Sequence, residues 1–377
     1  MTVEVDEQVL DDVSAMAARD PDQMLRAVAT GAAQIRSALT AAADAGLEQL
    51  EELGRPRAVV VAGMGGSGIA GDVLAAIAAP AAQSPVIVQR EPGLPGWVGA
   101  ADVVIAVSCS GGTQETLAAT DEAVRRGAAL VGIGGADSPL SRRCTQARAP
   151  FVPVVKQLAP RASMWALATP VLIAAGRLGL LDLPADAFEA AAVRLETVAE
   201  ACRPDREAFV NPAKQLALEL SGSLPMVWGA GTTGGVAAYR CGCQLAENAK
   251  YPAVIGALPE AHHNQVVSFD GSLAGAGAED DLFRDRVDDA DPLRLRLLLL
   301  HDDDGDDAVR ARVAVSEQIA QERGVAVTTL RSEGDGPVER LASLVGLIDY
   351  ATVYLALLLG IDPTPVAPID ALKRRLA

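Results

Sequence analysis

The stretch VVVAGMGGSGIAGD, residues 59–72, decides the fold. Three β-branched residues run into a cluster of glycines, and an apolar, helix-forming segment follows. Gly63, Gly65 and Gly68 spell G-x-G-x-x-G after a strand, the arrangement that lets backbone approach a phosphate at a helix N-terminus. Outward from this loop the same alternation continues. Strands are expected in PVIVQR, DVVIAVS, ALVGIG and APFVPVV. Helices are expected in SGIAGDVLAAIAA, in TQETLAATDEAVRRG and from about Ser163 to Leu181. Short apolar strands between helices imply a parallel sheet with covered faces.

The pattern then repeats. SLPMVWGAGTTGGVAAYRCGCQLAEN is again strand, glycine turn and helix, with Gly229, Gly231 and Gly234 in the same spacing. Strands LRLRLLLL and VAVTTL and helices VRARVAVSEQIAQERG and VERLASLVGLIDYATVYLALLL follow. The expected organisation is a helical segment at 1–56, a first α/β domain at 57–181, a helical connector at 182–212 and a second α/β domain at 213–377.

Bulk composition narrows the partners. Of 377 residues half are hydrophobic but only 3% aromatic, so the cores are built of Ala, Val and Leu. A net charge of −17 argues against nucleic acid or an anionic membrane as partner. An anionic small substrate needs local positive groups, such as helix N-termini and a few Arg or Lys. The acidic N-terminus lacks a signal-peptide plan, no uncharged run of 18 apolar residues occurs, and the five scattered cysteines form no zinc-type pair. The expectation is a cytoplasmic protein without metal.

The glycine loop alone specifies an anion and leaves its identity open. Glu91 stands about where a dinucleotide fold places its ribose-binding acid, which keeps an NAD(P) oxidoreductase as an alternative. The third strand points elsewhere. It ends in SCSGGT, so Ser108, Ser110 and Thr113 crowd the start of the next helix. Hydroxyls and amides at the carboxyl ends of neighbouring strands suit a phosphate monoester. Alone, SCSGGT is also an ordinary turn with a Thr helix cap. The equivalent place in the second half reads LLLLHDDDGDD, whose carboxylates repel phosphate, so one phosphate site per chain is expected.

GMGGSG followed by S-x-S-G-x-T resembles the sugar isomerase (SIS) domain. The chain as a whole resembles the bifunctional phosphoglucose/phosphomannose isomerases. PRASMW (160–165), LAENAKYPA (245–253), PEAHHNQVVSFD (259–270) and GIDPTPVAPIDALKRRL (360–376) carry that likeness. The resemblance implies two doubly wound SIS subdomains, no metal or nucleotide cofactor, and a homodimer whose active sites use both subunits. It implies a hexose 6-phosphate on Gly66, Ser67, Ser108, Ser110 and Thr113, with Arg161 facing the enediolate and Glu247 as base. It further implies His263 and Lys373 as the ring-opening pair and Thr364 near the sugar of mannose 6-phosphate.

The chemistry is consistent with these residue types. One carboxylate can move a proton between neighbouring carbons on one face of an enediolate, positive charge stabilises that intermediate, and histidine can open a sugar ring near neutral pH. Each residue also has an ordinary reading: a solvated helix glutamate, a surface arginine, a polar histidine loop, a solvated lysine. The family usually has Asn-His-Asn-Glu where this chain has His262-His263-Asn264-Gln265, so both histidines stay open. A SIS protein that binds sugar phosphate without chemistry is the remaining alternative. Such regulators normally carry a DNA-reading domain, and no basic helix-turn-helix is expected in this acidic sequence.

Overall fold

Helices α1 (Val13–Arg19), α2 (Met24–Val28) and α3 (Gly31–Ala43) precede the first strand. This computed structural model describes residues 5–155, 159–275, 293–302 and 304–376. The chain forms two compact units. One comprises 29–196 and 334–339, the other 1–28, 197–333 and 340–377.

In the unit built on 29–196, β1 (Val59–Ala62) and α4 (Ile69–Ala78) are followed by β2 (Val86–Gln89) and β3 (Val103–Ser108). Then come α5 (Gln114–Arg126), β4 (Ala129–Gly135), α6 (Pro139–Ala147), β5 (Phe151–Val154) and α7 (Met164–Arg177). Helix α8 (Ala187–Ala201) leads out of the unit. The five strands are all parallel, in the order β2-β1-β3-β4-β5. Every residue of β1 and β3 is buried, as continuous Val/Ile/Ala runs require in a sheet covered on both faces. Helix α3 is fixed to the start of α7 by one side chain: the Gln34 amide donates to Ala162 O at 2.7 Å, and its oxygen accepts from Ala166 N at 3.2 Å.

The second unit contains α9 (Pro212–Leu220), β6 (Ser223–Gly231), α10 (Gly234–Asn248) and β7 (Val254–Ala257). It continues with β8 (Arg294–Asp302), α11 (Asp307–Glu322), β9 (Ala326–Arg331), α12 (Pro337–Leu358), of which residues 340 onward belong to this unit, and α13 (Ala367–Leu376). Its four strands are parallel in the order β7-β6-β8-β9. Helix α12 is long and apolar enough to cross a membrane, yet 94% of its most apolar window is buried inside the protein. A polar seam sets its register against α10. Arg240 grips Asp349 with Nε–Oδ1 at 2.9 Å and a second bond at 2.6 Å, Gln244 donates to the same carboxylate, and Asn248 donates to Thr352. Removing one partner of such a buried pair costs about 3–5 kcal/mol, so the seam specifies one alignment of the two helices. Residues 5–28 belong to this unit. The wholly buried Lys214 explains part of that: its ammonium donates to the carbonyls of Leu10, Pro204 and Arg206 and lies 5.5 Å from the Tyr354 ring.

The expected pair of doubly wound parallel sheets is therefore present, each with its glycine turn after the first strand. Three elements were not anticipated from the sequence: helices α6 and α9 and strand β7.

Candidate active site

In the first unit the strand order reverses direction between β1 and β3, the place where open α/β sheets bind ligands beyond the carboxyl ends of their strands. The loops leaving β1 and β3 are GMGGSG and SCSGGT. The first makes a 3₁₀ turn, Gly65–Ser67, before α4. Ser67 is only 5% exposed, and its hydroxyl accepts from the Cys109 amide at 3.1 Å, which joins the two loops. In the second loop the Ser108 and Thr113 hydroxyls lie 2.9 Å apart, and Ser110 Oγ accepts from Gly112 N at 3.2 Å. Gly111 has φ +66°, and a Cβ there would stand 2.0 Å from Ser138 Oγ, so only glycine fits that turn.

Thr113 occupies the N-cap position of α5 without capping it, since no hydrogen bond runs from its side chain to the first-turn amides. Gly68 at the start of α4 has no side chain to do so. Two helix N-termini thus reach the crevice with no side-chain cap from their N-cap residues, and the ordinary reading of Thr113 as a cap does not hold. Amide donors and helix dipoles converge there on whatever anion enters.

Arg161 lies beside these loops. It is 3% exposed and sits in the turn Pro160–Ser163, which packs directly on the glycine turn. A Cβ on Gly66 would lie 3.1 Å from Pro160 O and 3.3 Å from Arg161 N. Two further neighbours, Asp72 and Arg90, not singled out by the motifs, pair with each other beside Gly68. Burial raises the Asp72 carboxyl above its usual range, and Arg90 opposes that shift. Their signal was positional: the end of β2 and the first turn of α4 both flank the glycine loop. Glu91 is exposed, and the strand order differs from the dinucleotide-binding order, in which β3 pairs with β2. A cavity of about 480 Å³ lies at the opposite, amino ends of β3 and β4, where Arg57 and Asp102 pair. That end of a parallel sheet is not where such folds hold ligands.

In the second unit Glu247 is half-buried near the end of α10. Lys250, two residues past the helix at φ +54°, ties this end down. Its ammonium donates to the carbonyls of Glu247, Asn248, Asp362 and Pro363 at 3.0–3.2 Å. The turn carrying Thr364 is thereby fastened to the helix end carrying Glu247. Nothing in the LAENAKYP sequence reveals this role for the lysine, because its partners are backbone groups far along the chain.

The two histidines separate. His262 turns inward, edge-on to Trp228 at 5.9 Å, with Nε2 2.7 Å from Ser316 Oγ. Ser316 donates its own proton to Arg312 O, so its oxygen accepts from His262, which fixes the Nε2–H tautomer. Burial, then the charges of Arg312 and His263, lower the His262 pKa below its ordinary value. His263 is exposed, as is Lys373 on α13. The loop bearing the histidines is anchored by Trp228, whose indole donates to Gln265 at 2.7 Å and stacks on Phe269 at 5.4 Å. Among the described residues no group of three His, Cys, Asp or Glu side chains is placed to hold a metal ion. The structure thus gathers Gly66, Ser67, Ser108, Ser110, Thr113 and Arg161 in one unit. It links Glu247 to the Thr364 turn in the other, and leaves His263 and Lys373 exposed.

Comparison with known proteins places the chain among relatives by sequence and by fold. Residues 52–168 match the SIS domain, and residues 209–376 match the bacterial phospho-glucose isomerase C-terminal SIS domain. A bifunctional phosphoglucose/phosphomannose isomerase of Caldicellulosiruptor bescii is 32% identical over 321 residues, 85% of this chain and 89% of the relative. One of Aquifex aeolicus is 30% identical, over 85% and 90%. In fold, the chain is similar to a hypothetical protein of Thermus thermophilus, at TM-score 0.70 and 16% identity over 98% of this chain and 95% of that one. It is equally similar to a glucose-6-phosphate isomerase of Chlamydia trachomatis, at TM-score 0.70 and 12% identity over 98% and 84%. From the two-loop crevice, the duplicated parallel sheets and these relatives together, the chain belongs to the family of bifunctional phosphoglucose/phosphomannose isomerases.

Proposed function

We propose that the protein interconverts hexose 6-phosphates, converting glucose 6-phosphate and mannose 6-phosphate to fructose 6-phosphate through a cis-enediolate. The observation that carries this reading is the crevice at the β1/β3 strand reversal, where two helix N-termini and the hydroxyls of Ser67, Ser108, Ser110 and Thr113 meet beside the buried Arg161. Such a crevice holds the phosphate and leaves the sugar carbons free to react. Gly66 lets the loop backbone pack close to the Arg161 turn.

Glu247 takes the proton from C2 and returns it to C1, so no net proton is consumed. Arg161 balances the charge on the enediolate oxygens. His263 and Lys373 move the protons that open the closed sugar ring, and Thr364 contacts the sugar of the mannose substrate. The inward turn of His262 favours His263 for this role. The working form is a homodimer in which His263 crosses to the neighbouring subunit's site, and the reaction is cytoplasmic and uses no cofactor. A coupled assay of fructose 6-phosphate formation from each aldose 6-phosphate tests the proposal. Product from both supports it, and product from neither removes it.

A further inference from the structure

The two units place corresponding residues in corresponding roles at their strand reversals. Gly63 and Gly229 stand 166 positions apart, and the same offset carries Ser67 onto Thr233. In the second sheet Gly229 pairs with Leu300 and Gly231 with Asp302. In the first, Ala62 pairs with Ala106 and Gly63 lies against Val107, and the same register carried one residue past the end of β3 makes Cys109 correspond to Asp302. Ser67 bonds Cys109 in the first unit, and Thr233 bonds Asp302 in the second.

The bond differs in kind. In the first unit the backbone amide of Cys109 donates to Ser67. In the second the Asp302 side chain is itself the acceptor, and it is wholly buried. Four donors surround it. Thr233 gives its backbone N–H at 2.9 Å and its hydroxyl at 2.7 Å, Ser332 its hydroxyl at 3.0 Å, and Arg340 its Nε at 2.7 Å. Thr233 is the N-cap residue of α10, so the carboxylate sits at that helix's N-terminus. Arg340 is only 8% exposed and also meets Asp304 at 2.9 Å. Amide, two hydroxyls, a guanidinium and a helix dipole around one oxyanion are the ingredients of an anion-binding site.

We propose that the second unit retains an anion site equivalent to the crevice of the first, and that Asp302 is its permanent, covalently attached ligand. The acidic run HDDDGDD therefore excludes phosphate by occupancy, with one carboxylate already seated, and bulk repulsion is not required. Each chain keeps one crevice for a phosphate ester and one filled by its own side chain. The class of free ligand that fits the emptied site is a small monocarboxylate, because the donors are set for two oxygens of one planar group. This inference does not depend on which reaction the enzyme catalyses.

Chemical rescue of the full-length protein tests it, with sodium formate as probe and sodium chloride at equal ionic strength as control. Asp302→Ala is expected to gain thermal stability from formate beyond any gain of the wild type, about 2 °C at formate concentrations some twentyfold above its dissociation constant. Adding Thr233→Val to that variant, which removes the hydroxyl donor, is expected to shrink the response. Should Asp302→Ala fail to fold in chloride, formate during refolding is expected to restore it. A folded alanine variant that responds no more than the wild type overturns the proposal. So does an unfolded one that formate does not restore.

Discussion

The Cys109 amide donates to the Ser67 hydroxyl at 3.1 Å, tying the loop after β1 to the loop after β3. Ser67→Ala removes that tie and one hydroxyl from the crevice. A single such bond contributes about 0.5–1.5 kcal/mol to stability, and one to a charged ligand about 1.5–3 kcal/mol. The expected outcome is a small fall in melting temperature with a rise in KM of about tenfold or more. Gly66→Ala is expected to do more, because its Cβ must displace the Pro160–Arg161 backbone. Steady-state kinetics beside thermal melts separate the two effects. An unchanged KM in both variants contradicts the phosphate assignment.

Arg161 is buried at 3% exposure, and the proposed enediolate charge falls to it. Arg161→Met is expected to lower kcat by about 10²–10³, the range for loss of one preorganised charge-stabilising donor. Arg161→Lys keeps the charge but loses the planar fork, and is expected to fall between. Saturating-substrate rates on protein checked by circular dichroism measure this. Near-wild-type kcat in the methionine variant would assign the charge elsewhere.

His262 makes stability depend on pH with a defined sign. Its folded pKa lies below the ordinary 6.5, chiefly through burial. As pH falls through 6.5 the unfolded chain takes up a proton that the folded protein resists. The contribution is thus complete above that pH and is lost as the medium becomes more acidic. Urea midpoints at about pH 7.5 and about pH 5.5 should differ more for the wild type than for His262→Gln. Equal differences would mean that His262 titrates alike in both states.

The crevice was legible because its signals are local: glycines after buried apolar strands, and hydroxyls in a six-residue run. Helix α6 was not, since only Leu140 and Cys144 of its nine residues are buried and the rest of it is polar, so it resembles a loop in composition, although Ser138 caps it and Pro139 opens it. Strand β7 is four half-exposed or exposed residues, two of them Gly and Ala, and reads as loop. Asp302 was hidden among its neighbours, because strand register rather than composition decides which carboxylate of HDDDGDD turns inward. The attachment of residues 5–28 to the second unit depends on Lys214 reaching Leu10 across 204 positions, a relation no local pattern encodes.

The shared-site proposal is tested by mixing inactive homodimers of Glu247→Gln and His263→Ala. If His263 acts across the interface, each heterodimer holds one intact site, and random exchange restores about a quarter of wild-type activity. Activity at background, with subunit exchange shown independently, contradicts the crossing and leaves the isomerase assignment standing.

Proton transfer by one carboxylate through an enediolate is the central chemical claim, and isotope exchange reads it directly. Glucose 6-phosphate deuterated at C2 is incubated with the enzyme in ordinary water, and the fructose 6-phosphate formed is analysed at C1. Product that has lost deuterium to solvent is expected from the wild type, and no exchange from Glu247→Gln. Complete retention of deuterium at C1 in every turnover would point to direct hydride transfer and contradict the account.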